Sequence, residues 1–456
     1  MEELTRAQCQ QARMARDARF DGRFFVAVKT TGIFCRPICP AMLPKESNVD
    51  YYFNAALASA AGFRPCLRCR PDSAPGSWAW RGTQSTVHRA LRLIETGALQ
   101  EQTLPELCER LGVSDRYLRQ LFQQQIGMSP KTYAQIQQLM FAKQLLHSSQ
   151  LTVTDIAIAS GFNSVRRFND AFQKHWQLTP TDLRRQRTTS QSNQLTLAYR
   201  PPLNWEHLLA FYRLRQVTGV EQLDDQSYAR TLELNQARGW FRVKPGKGHY
   251  LTLDFELSDL SQLRPWVATI RRMLDLDADI ATIEHHLHQT PLRDILSEGV
   301  RIPGVASPWE AGIRAILGQQ VSVKAAITQL NRFVTALGEN VPGPEGLNRL
   351  FPTAQQAAKA DLSFLPLPES RRATLHRFAD FVSRTPDADI NEWLTIKGIG
   401  PWTLQYAKLR GLSDPDQFLM GDLIIKKTLN ALPPFSPDQL SPWGSYATFH
   451  CWNHAS

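Results

Sequence analysis

Thr30-Thr31-Gly32-Ile33-Phe34-Cys35-Arg36-Pro37-Ile38-Cys39 and, further on, Ala61-Gly62-Phe63-Arg64-Pro65-Cys66-Leu67-Arg68-Cys69 carry two close cysteine pairs about 26 residues apart. The spacing Cys35-x3-Cys39 with Cys66-x2-Cys69 suits tetrahedral zinc held by four thiolates. Spacing alone fits a purely structural zinc that staples a domain too small for a large core. Chemistry at the cluster needs further residues.

Working outward, only Cys9, Cys108 and Cys451 lie outside the cluster. That is too few for a secreted disulfide framework, and they read as packing residues. The 456 residues, 43% hydrophobic and 21% charged, exclude a disordered, collagen-like or disulfide-scaffold protein and suggest about three domains. No run of about 18 uncharged apolar residues occurs, and Met1-Glu2-Glu3 with its trailing arginines lacks a signal peptide's apolar core. A cytoplasmic protein without membrane contact is expected. The net charge of +10 is unevenly placed: 11 basic against 7 acidic residues in 1–80, 14 against 8 in 81–190, and 27 against 27 in 191–456. A basic amino-terminal part suits a polyanion, most simply nucleic acid, whereas the neutral half must grip DNA through local geometry.

Two polar, turn-rich stretches, 71–77 and 184–194, read as linkers. Between them Leu121-Phe122-Gln123…Met128-Ser129-Pro130 recurs fifty positions on as Ala171-Phe172-Gln173…Leu178-Thr179-Pro180, which implies one supersecondary unit used twice. Thr103-Leu104-Pro105-Glu106 has capping-box form and predicts a helix ending at Gly112, with another from Ser114. Thr152-Val153-Thr154-Asp155 predicts the equivalent helix up to Gly161, with Asn163 capping its successor. Each pair has helix-turn-helix form, which an ordinary helical bundle also shows. Beyond Asn193, alternating segments in 229–257 flank Lys244-Pro245-Gly246-Lys247-Gly248 and predict a β-hairpin; from about 262 the spacing of Ile313, Ile316, Leu317 and Val321 predicts helices. Lys397-Gly398-Ile399-Gly400-Pro401-Trp402 predicts a tight turn before a helix with Pro in its first turn, where glycine lets backbone amides approach a phosphate.

Phe20-Asp21-Gly22-Arg23-Phe24-Phe25-Val26-Ala27-Val28, with the two cysteine segments and Arg70-Pro71-Asp72, resembles the amino-terminal domain of the Ada methylation-response family over about fifty residues. The resemblance makes Cys35, Cys39, Cys66 and Cys69 the ligands of one Zn2+. It also makes Cys35 the acceptor of a methyl group taken irreversibly from a methylphosphotriester in the DNA backbone. Zinc keeps such a thiol ionised at neutral pH. Methylating one of four thiolates moves the formal charge of the site from about −2 to about −1, so that Arg36, Arg64, Arg68 and Arg70 dominate toward DNA.

The repeated helix pairs resemble the AraC-type DNA-binding domain, whose two recognition helices enter successive major-groove segments. Those helices would carry Asp115, Arg116 and Arg119, then Ser164, Arg166, Arg167 and Asn169. Arg and Asn suit the edges of G and A. Double-stranded DNA and, for an activator, RNA polymerase are the implied partners.

Arg314-Ala315-Ile316-Leu317-Gly318-Gln319-Gln320-Val321-Ser322-Val323, Phe418-Leu419-Met420-Gly421-Asp422-Leu423-Ile424-Ile425-Lys426-Lys427 and Pro442-Trp443-Gly444-Ser445-Tyr446-Ala447 resemble the AlkA-type 3-methyladenine DNA glycosylases. The likeness runs from about Leu197 onward and includes Tyr228-Ala229-Arg230-Thr231-Leu232. It implies that Asp422 is the catalytic carboxylate, stabilising positive charge on the sugar as the glycosidic bond breaks. It further implies that Gly398 and Gly400 form a DNA-gripping helix-hairpin-helix, that Ile302 of Arg301-Ile302-Pro303-Gly304 is an apolar wedge, and that Trp402, Tyr406 and Trp452 stack on an extruded base. Trp402 stands where strand-cleaving relatives carry a Schiff-base lysine, which implies a monofunctional enzyme. Without the resemblance, Asp422 reads as a helix cap and the aromatics as core.

The expected fold class is multidomain α+β: a small four-cysteine zinc domain at 1–76, an all-α AraC-type double helix-turn-helix domain at 83–187, an AlkA-like α+β subdomain at 195–288 and an all-α helix-hairpin-helix glycosylase domain at 289–456. The expected function is a response to alkylation damage: methyl uptake at Cys35 switches on transcription, and alkylated purines such as 3-methyladenine and 7-methylguanine are excised. The competing reading is a DNA-binding regulator with a damage-recognising but catalytically inactive glycosylase-like half. The second methyltransferase domain of the Ada family, with its Pro-Cys-His-Arg motif, has no counterpart in this sequence.

Overall fold

Helix Arg6–Ala15 comes first, and the short strands around the cysteine cluster follow it. The computed structural model describes residues 4–53, 57–58, 61–66, 69, 71, 86–95, 97–149, 151–184, 193–386 and 388–455. Most of the two expected linkers, 72–77 and 185–192, lies outside the described residues. Strands β1 (Phe25–Val28), β2 (Ile33–Cys35), β3 (Val49–Tyr52) and β4 (Arg64–Pro65) form a sheet in the order β3-β1-β2-β4. The β1–β2 hairpin turns at Gly32, whose φ of 62° favours glycine. β4 runs parallel to β2, with Phe34 opposite Pro65. That register brings Cys35, which ends β2, alongside Cys66, which follows β4.

Helices Leu104–Leu111 and Asp115–Gln125 form the first expected pair, and Val153–Ala159 and Val165–Trp176 the second. The Thr103/Glu106 and Thr152/Asp155 capping boxes are both made, and Gly112 ends the first helix at φ 70°. One cap differs from expectation. Ser164 caps Val165–Trp176, because its extended backbone lets its hydroxyl accept from the Arg167 amide at 3.3 Å; Asn163 lies one residue outside. The 19-residue helix Pro130–Ser148 joins the two pairs.

Beyond residue 193 an antiparallel sheet follows, of β5 (Gln194–Ala198), β6 (Glu221–Leu223), β7 (Tyr228–Leu234), β8 (Ala237–Pro245) and β9 (Tyr250–Leu257), ordered β5-β9-β8-β7-β6. The expected hairpin is β8–β9, closed by Pro245 opposite Leu251. β8 alternates buried and half-buried residues, as one covered face requires. The remaining chain is helical around Pro308–Gly318, whose residues 310–317 are all buried. A closed ring of buried charges ties this helix to the sheet: Arg230 and Arg314 each pair with Glu221 and with Glu310, at 2.8–3.4 Å. Each charge has two opposite partners, and removing one would strand the others at about 3–5 kcal/mol.

A single hydrophobic core runs from Phe25 and Phe34 through Leu107, Phe122 and Leu139 to Phe241 and Trp266. The cysteine-bearing sheet, the helix pairs and the second sheet therefore pack against one another. A separate cluster joins Phe211, Ile280, Ile302, Leu419 and Tyr446 beneath the carboxy-terminal helices. None of the described helices is long and apolar enough to cross a membrane.

Candidate functional site

The sulfurs of Cys35, Cys39, Cys66 and Cys69 all lie within 4.8 Å of one another. A tetrahedral zinc with Zn–S bonds of about 2.3 Å has S–S edges of about 3.8 Å, so the cluster can close around a metal ion with small adjustments. Four thiols without a carboxylate suit a soft or borderline cation such as zinc rather than Mg2+ or Ca2+. Cys39, Cys66 and Cys69 are at most 8% exposed, whereas Cys35 is half-buried. Cys35 is thus the least enclosed residue of the four.

The arginines around the cluster divide. Arg64 is half-buried at the head of β4, and Arg68 and Arg70 lie outside the described residues. Arg36 is not a surface residue: it is 1% exposed, its Nε donates to Asp21 Oδ1 at 2.8 Å, and its Nη2 pairs with the second oxygen of that carboxylate. In this arrangement Arg36 does not face DNA, because the buried Asp21 claims its charge.

On the helix pairs Arg116, Arg119, Ser164, Arg166, Arg167 and Asn169 are exposed and Asp115 is half-buried. Arg119 Nε donates to Asp115 Oδ1 at 2.6 Å, so that pair is internally neutralised on its helix. The Asp115 carboxyl is held below the usual range chiefly by the bond to Arg119.

In the carboxy-terminal half, Asp422 caps helix Leu423–Asn430. Its Oδ1 accepts from the Ile424 amide at 2.9 Å, the Ile425 amide at 3.3 Å and Trp452 Nε1 at 3.2 Å. Oδ2 takes no hydrogen bond among the described residues, which leaves one carboxylate oxygen available at the rim of an aromatic wall. Trp402 and Tyr406, one helical turn apart, stack at 5.4 Å and 28°. Tyr406 lies 6.5 Å from Trp452, and Trp452 stacks on Phe211 at 6.2 Å and 22°. Phe211 carries no signal of its own in the sequence: on the amphipathic helix Trp205–Arg213 it reads as one more core position.

Two arginines stand behind the wall. Arg410 donates from Nη1 to the Tyr406 hydroxyl at 2.9 Å and from Nε to Pro303 O at 2.8 Å, with its guanidinium carbon 4.8 Å from the Phe211 ring centre. Arg215 lies 3.8 Å from the same centre. Burial would push the Tyr406 hydroxyl up, but Arg410 and Arg215 outweigh it and hold the group below its ordinary pKa. Burial likewise lowers Arg215 to about 10.

The glycine turn before Trp402 has Gly398 at φ 100° and Gly400 as the cap of helix Pro401–Gly411. Its carbonyls are tied inward: Lys397 O accepts from Thr374 and Arg377, and Gly398 O from Gln319. Of its amides, Ile399 donates to Ile396 O at 3.0 Å, whereas those of Gly398 and Gly400 make no hydrogen bond among the described residues. Ile302, expected as a wedge, is 0% exposed; its amide donates to Asp275 and its side chain packs in the core beside Tyr446. Exposed apolar side chains lie instead on the neighbouring tip Gln319–Val323, where the chain turns between two helices with Gln320 at φ 57° and Val321 and Val323 each more than 40% exposed. Gln319 secures that tip to the glycine turn and to Thr403 Oγ1.

Comparison with known proteins agrees with this geometry. Three family models match: the metal-binding domain of Ada over residues 8–72, a helix-turn-helix domain over 107–186 and the AlkA N-terminal domain over 194–307. A probable bifunctional transcriptional activator/DNA repair enzyme AlkA of Mycobacterium tuberculosis is 36% identical, over 98% of this chain and 95% of its own. DNA-3-methyladenine glycosylase 2 of Escherichia coli K12 is 32% identical over 56% of this chain and 96% of its own. The bifunctional transcriptional activator/DNA repair enzyme Ada of the same organism is 39% identical over 35% of this chain and 43% of its own. The chain belongs to the family in which an Ada-type zinc-binding and helix-turn-helix unit is fused to an AlkA-type glycosylase domain.

Proposed function

We propose that the protein excises alkylated purines, 3-methyladenine and 7-methylguanine among them, by monofunctional hydrolysis of the glycosidic bond. The observation that carries this reading is the Asp422 carboxylate, pinned through Oδ1 and open at Oδ2, beside the wall of Trp402, Tyr406 and Trp452. An extruded cationic purine stacks on those rings and leaves as a neutral base. Asp422 stabilises the positive charge developing on the sugar and takes a proton from the water that adds to it. No lysine side chain stands at Trp402 to form a Schiff base. The unbonded amides of Gly398 and Gly400, in a turn read as a helix-hairpin-helix, hold a backbone phosphate, and the exposed Gln319–Val323 segment enters the gap left by the extruded base.

We further propose that Cys35 accepts a methyl group from a DNA methylphosphotriester. Zinc held by Cys35, Cys39, Cys66 and Cys69 would keep the thiols ionised at neutral pH. Cys35 Sγ attacks the methyl carbon; an S–C bond forms, the C–O bond breaks and the phosphodiester departs as an anion. The more open position of Cys35 supports its choice over the other three. The exposed faces of the two AraC-type helix pairs then bind promoter DNA and recruit RNA polymerase, in the cytoplasm at the nucleoid.

Release of 3-methyladenine and 7-methylguanine from methylated duplex DNA, under multiple turnover, tests the enzyme. Wild-type release that collapses in Asp422→Asn supports it. Absence of release by folded, DNA-binding wild-type protein rejects it in favour of a damage-sensing regulator.

A further inference from the structure

Arg36, the neighbour of the proposed methyl acceptor, reaches beyond its own module. Besides its double contact with Asp21, its Nη1 donates to Cys69 O at 3.2 Å and to the hydroxyl of Tyr250, whose ring centre lies 5.2 Å from the guanidinium carbon. Tyr250 opens β9 in the glycosylase half, opposite Ala198 of β5. Arg200, two residues beyond β5, donates from Nε to Asp21 O at 2.8 Å and pairs with Asp279 at 3.1 Å. From the long helix between the two helix pairs, Lys143 donates to Cys66 O at 3.3 Å and Gln144 to Thr196 O of β5 at 2.8 Å. The carbonyls of two cysteines thus accept from buried cations, and one of those cations touches the glycosylase sheet directly.

A cation this deeply buried needs its charge paired or its donors accepted by buried oxygens. The Arg36 guanidinium is paired with Asp21, and the residue also adjoins the cysteine cluster: its side chain donates to Cys69 O and its backbone amide to Cys69 Sγ at 3.3 Å. We propose that Asp21, Arg36 and Tyr250 form a latch that docks the cysteine module on the β5–β9 edge, and that methylation of Cys35 opens it. This rests on Cys35 being the methyl acceptor. Turning its thiolate into a thioether removes one negative charge from the cluster that holds Arg36 and adds a methyl group one residue away. The guanidinium then exchanges Asp21 and Tyr250 for water or a DNA phosphate. Opening frees Arg36 for the DNA contact that its burial denies it, and it carries the methylation state of the sensor to the glycosylase sheet.

The test uses the full zinc-loaded chain incubated with duplex DNA bearing methylphosphotriesters. Peptide mass reads the gain of one CH2 on Cys35, and amide hydrogen exchange reads strands β5 and β9. Methylated protein should exchange about tenfold faster along that edge, the size expected for losing a hydrogen bond to a charged group. Tyr250→Phe, which keeps the ring and loses the hydroxyl, should show the faster exchange before any methylation while taking up methyl normally. A chain that gains the methyl group with exchange unchanged overturns the latch, as does unmethylated Tyr250→Phe exchanging like wild type. No mass gain overturns the acceptor role of Cys35 and the switch with it, while Tyr250→Phe still decides the docking contact.

Discussion

Trp452 donates its indole N–H to the same oxygen of Asp422, at 3.2 Å, that caps helix Leu423–Asn430. One oxygen of the carboxylate therefore serves the helix and the aromatic wall together, and the other is left to meet a substrate. Asp422→Asn keeps a good helix cap and should leave the fold intact, because Asn caps about as well as Asp. Base release should fall by about 10²–10³, the scale for removing one preorganised electrostatic group. Trp452→Phe keeps an aromatic face, loses the pin, and should cost about tenfold. Comparing release rates with duplex affinity for both variants checks this: an Asp422→Asn protein as fast as wild type would remove Asp422 from the reaction.

The two glycines of the turn should separate structure from binding. A Cβ on Gly398 would sit 2.1 Å from Thr374 Oγ1 at a φ of 100°, so Gly398→Ala should destabilise the chain by about 1–3 kcal/mol. Gly400 has φ −108° and nothing within 4 Å of its added Cβ. Gly400→Ala should therefore change stability by less than about 0.5 kcal/mol, yet weaken duplex binding, since the new methyl group stands where a phosphate would approach. Thermal unfolding beside a duplex titration tests the pair; a Gly400→Ala protein with undiminished affinity would show that the phosphate lies elsewhere.

What could be read from sequence was what is local. The cysteine spacing, both capping boxes, the β8–β9 hairpin and the i, i+4 placement of Trp402 and Tyr406 on one helix each depend on residues close along the chain. What escaped is set by distant partners. Arg36 is buried through contacts that include Tyr250, 214 positions away, and no spacing rule reports that. Ile302 sits in a Pro- and Gly-bearing loop that looks exposed, but its amide is claimed by Asp275 and its side chain by the cluster under Tyr446. Phe211 joins the aromatic wall only because helix Trp205–Arg213 packs on the last helix, Gly444–His454.

Two buried groups should give stability opposite pH slopes. Burial pushes Asp275 up to about 7, despite Arg301 and the bonds from the Ile302 amide and the Tyr446 hydroxyl. The folded form then holds a proton that an unfolded aspartate, titrating near about 3.9, gives up, so from about pH 4 to about 7 this group makes stability fall as pH rises. His450 is pushed down to about 4 by burial, with His207 and His288 adding, and its Nδ1 accepts from the Ser297 amide at 3.3 Å. An unfolded histidine takes its proton near about 6.5, so this contribution is complete above that pH and lost as pH falls toward about 4. Asp275→Asn should uncover the histidine slope, with urea midpoints rising from about pH 4.5 to about 6.5 by the equivalent of up to about 3 kcal/mol. His450→Asn should uncover the opposite slope, and two variants sloping the same way would refute the assignment.

The last expectation concerns which apolar residue enters the duplex. Ile302 is fully enclosed, so Ile302→Ala leaves a cavity and should cost about 2–4 kcal/mol of stability. Any loss of excision it causes should disappear on cooling, as the folded fraction recovers. Val321 stands on the tip beside Gln320, 42% exposed, and packs on too little to matter for folding. Val321→Ser should leave unfolding unchanged within about 0.5 kcal/mol but slow release from duplex DNA, because a polar tip no longer fills the apolar gap between unstacked bases. The effect should shrink on a lesion opposite an abasic site, where no partner base remains to be held apart. A Val321→Ser enzyme that matches wild type on both substrates would show that the gap is filled from another part of the surface.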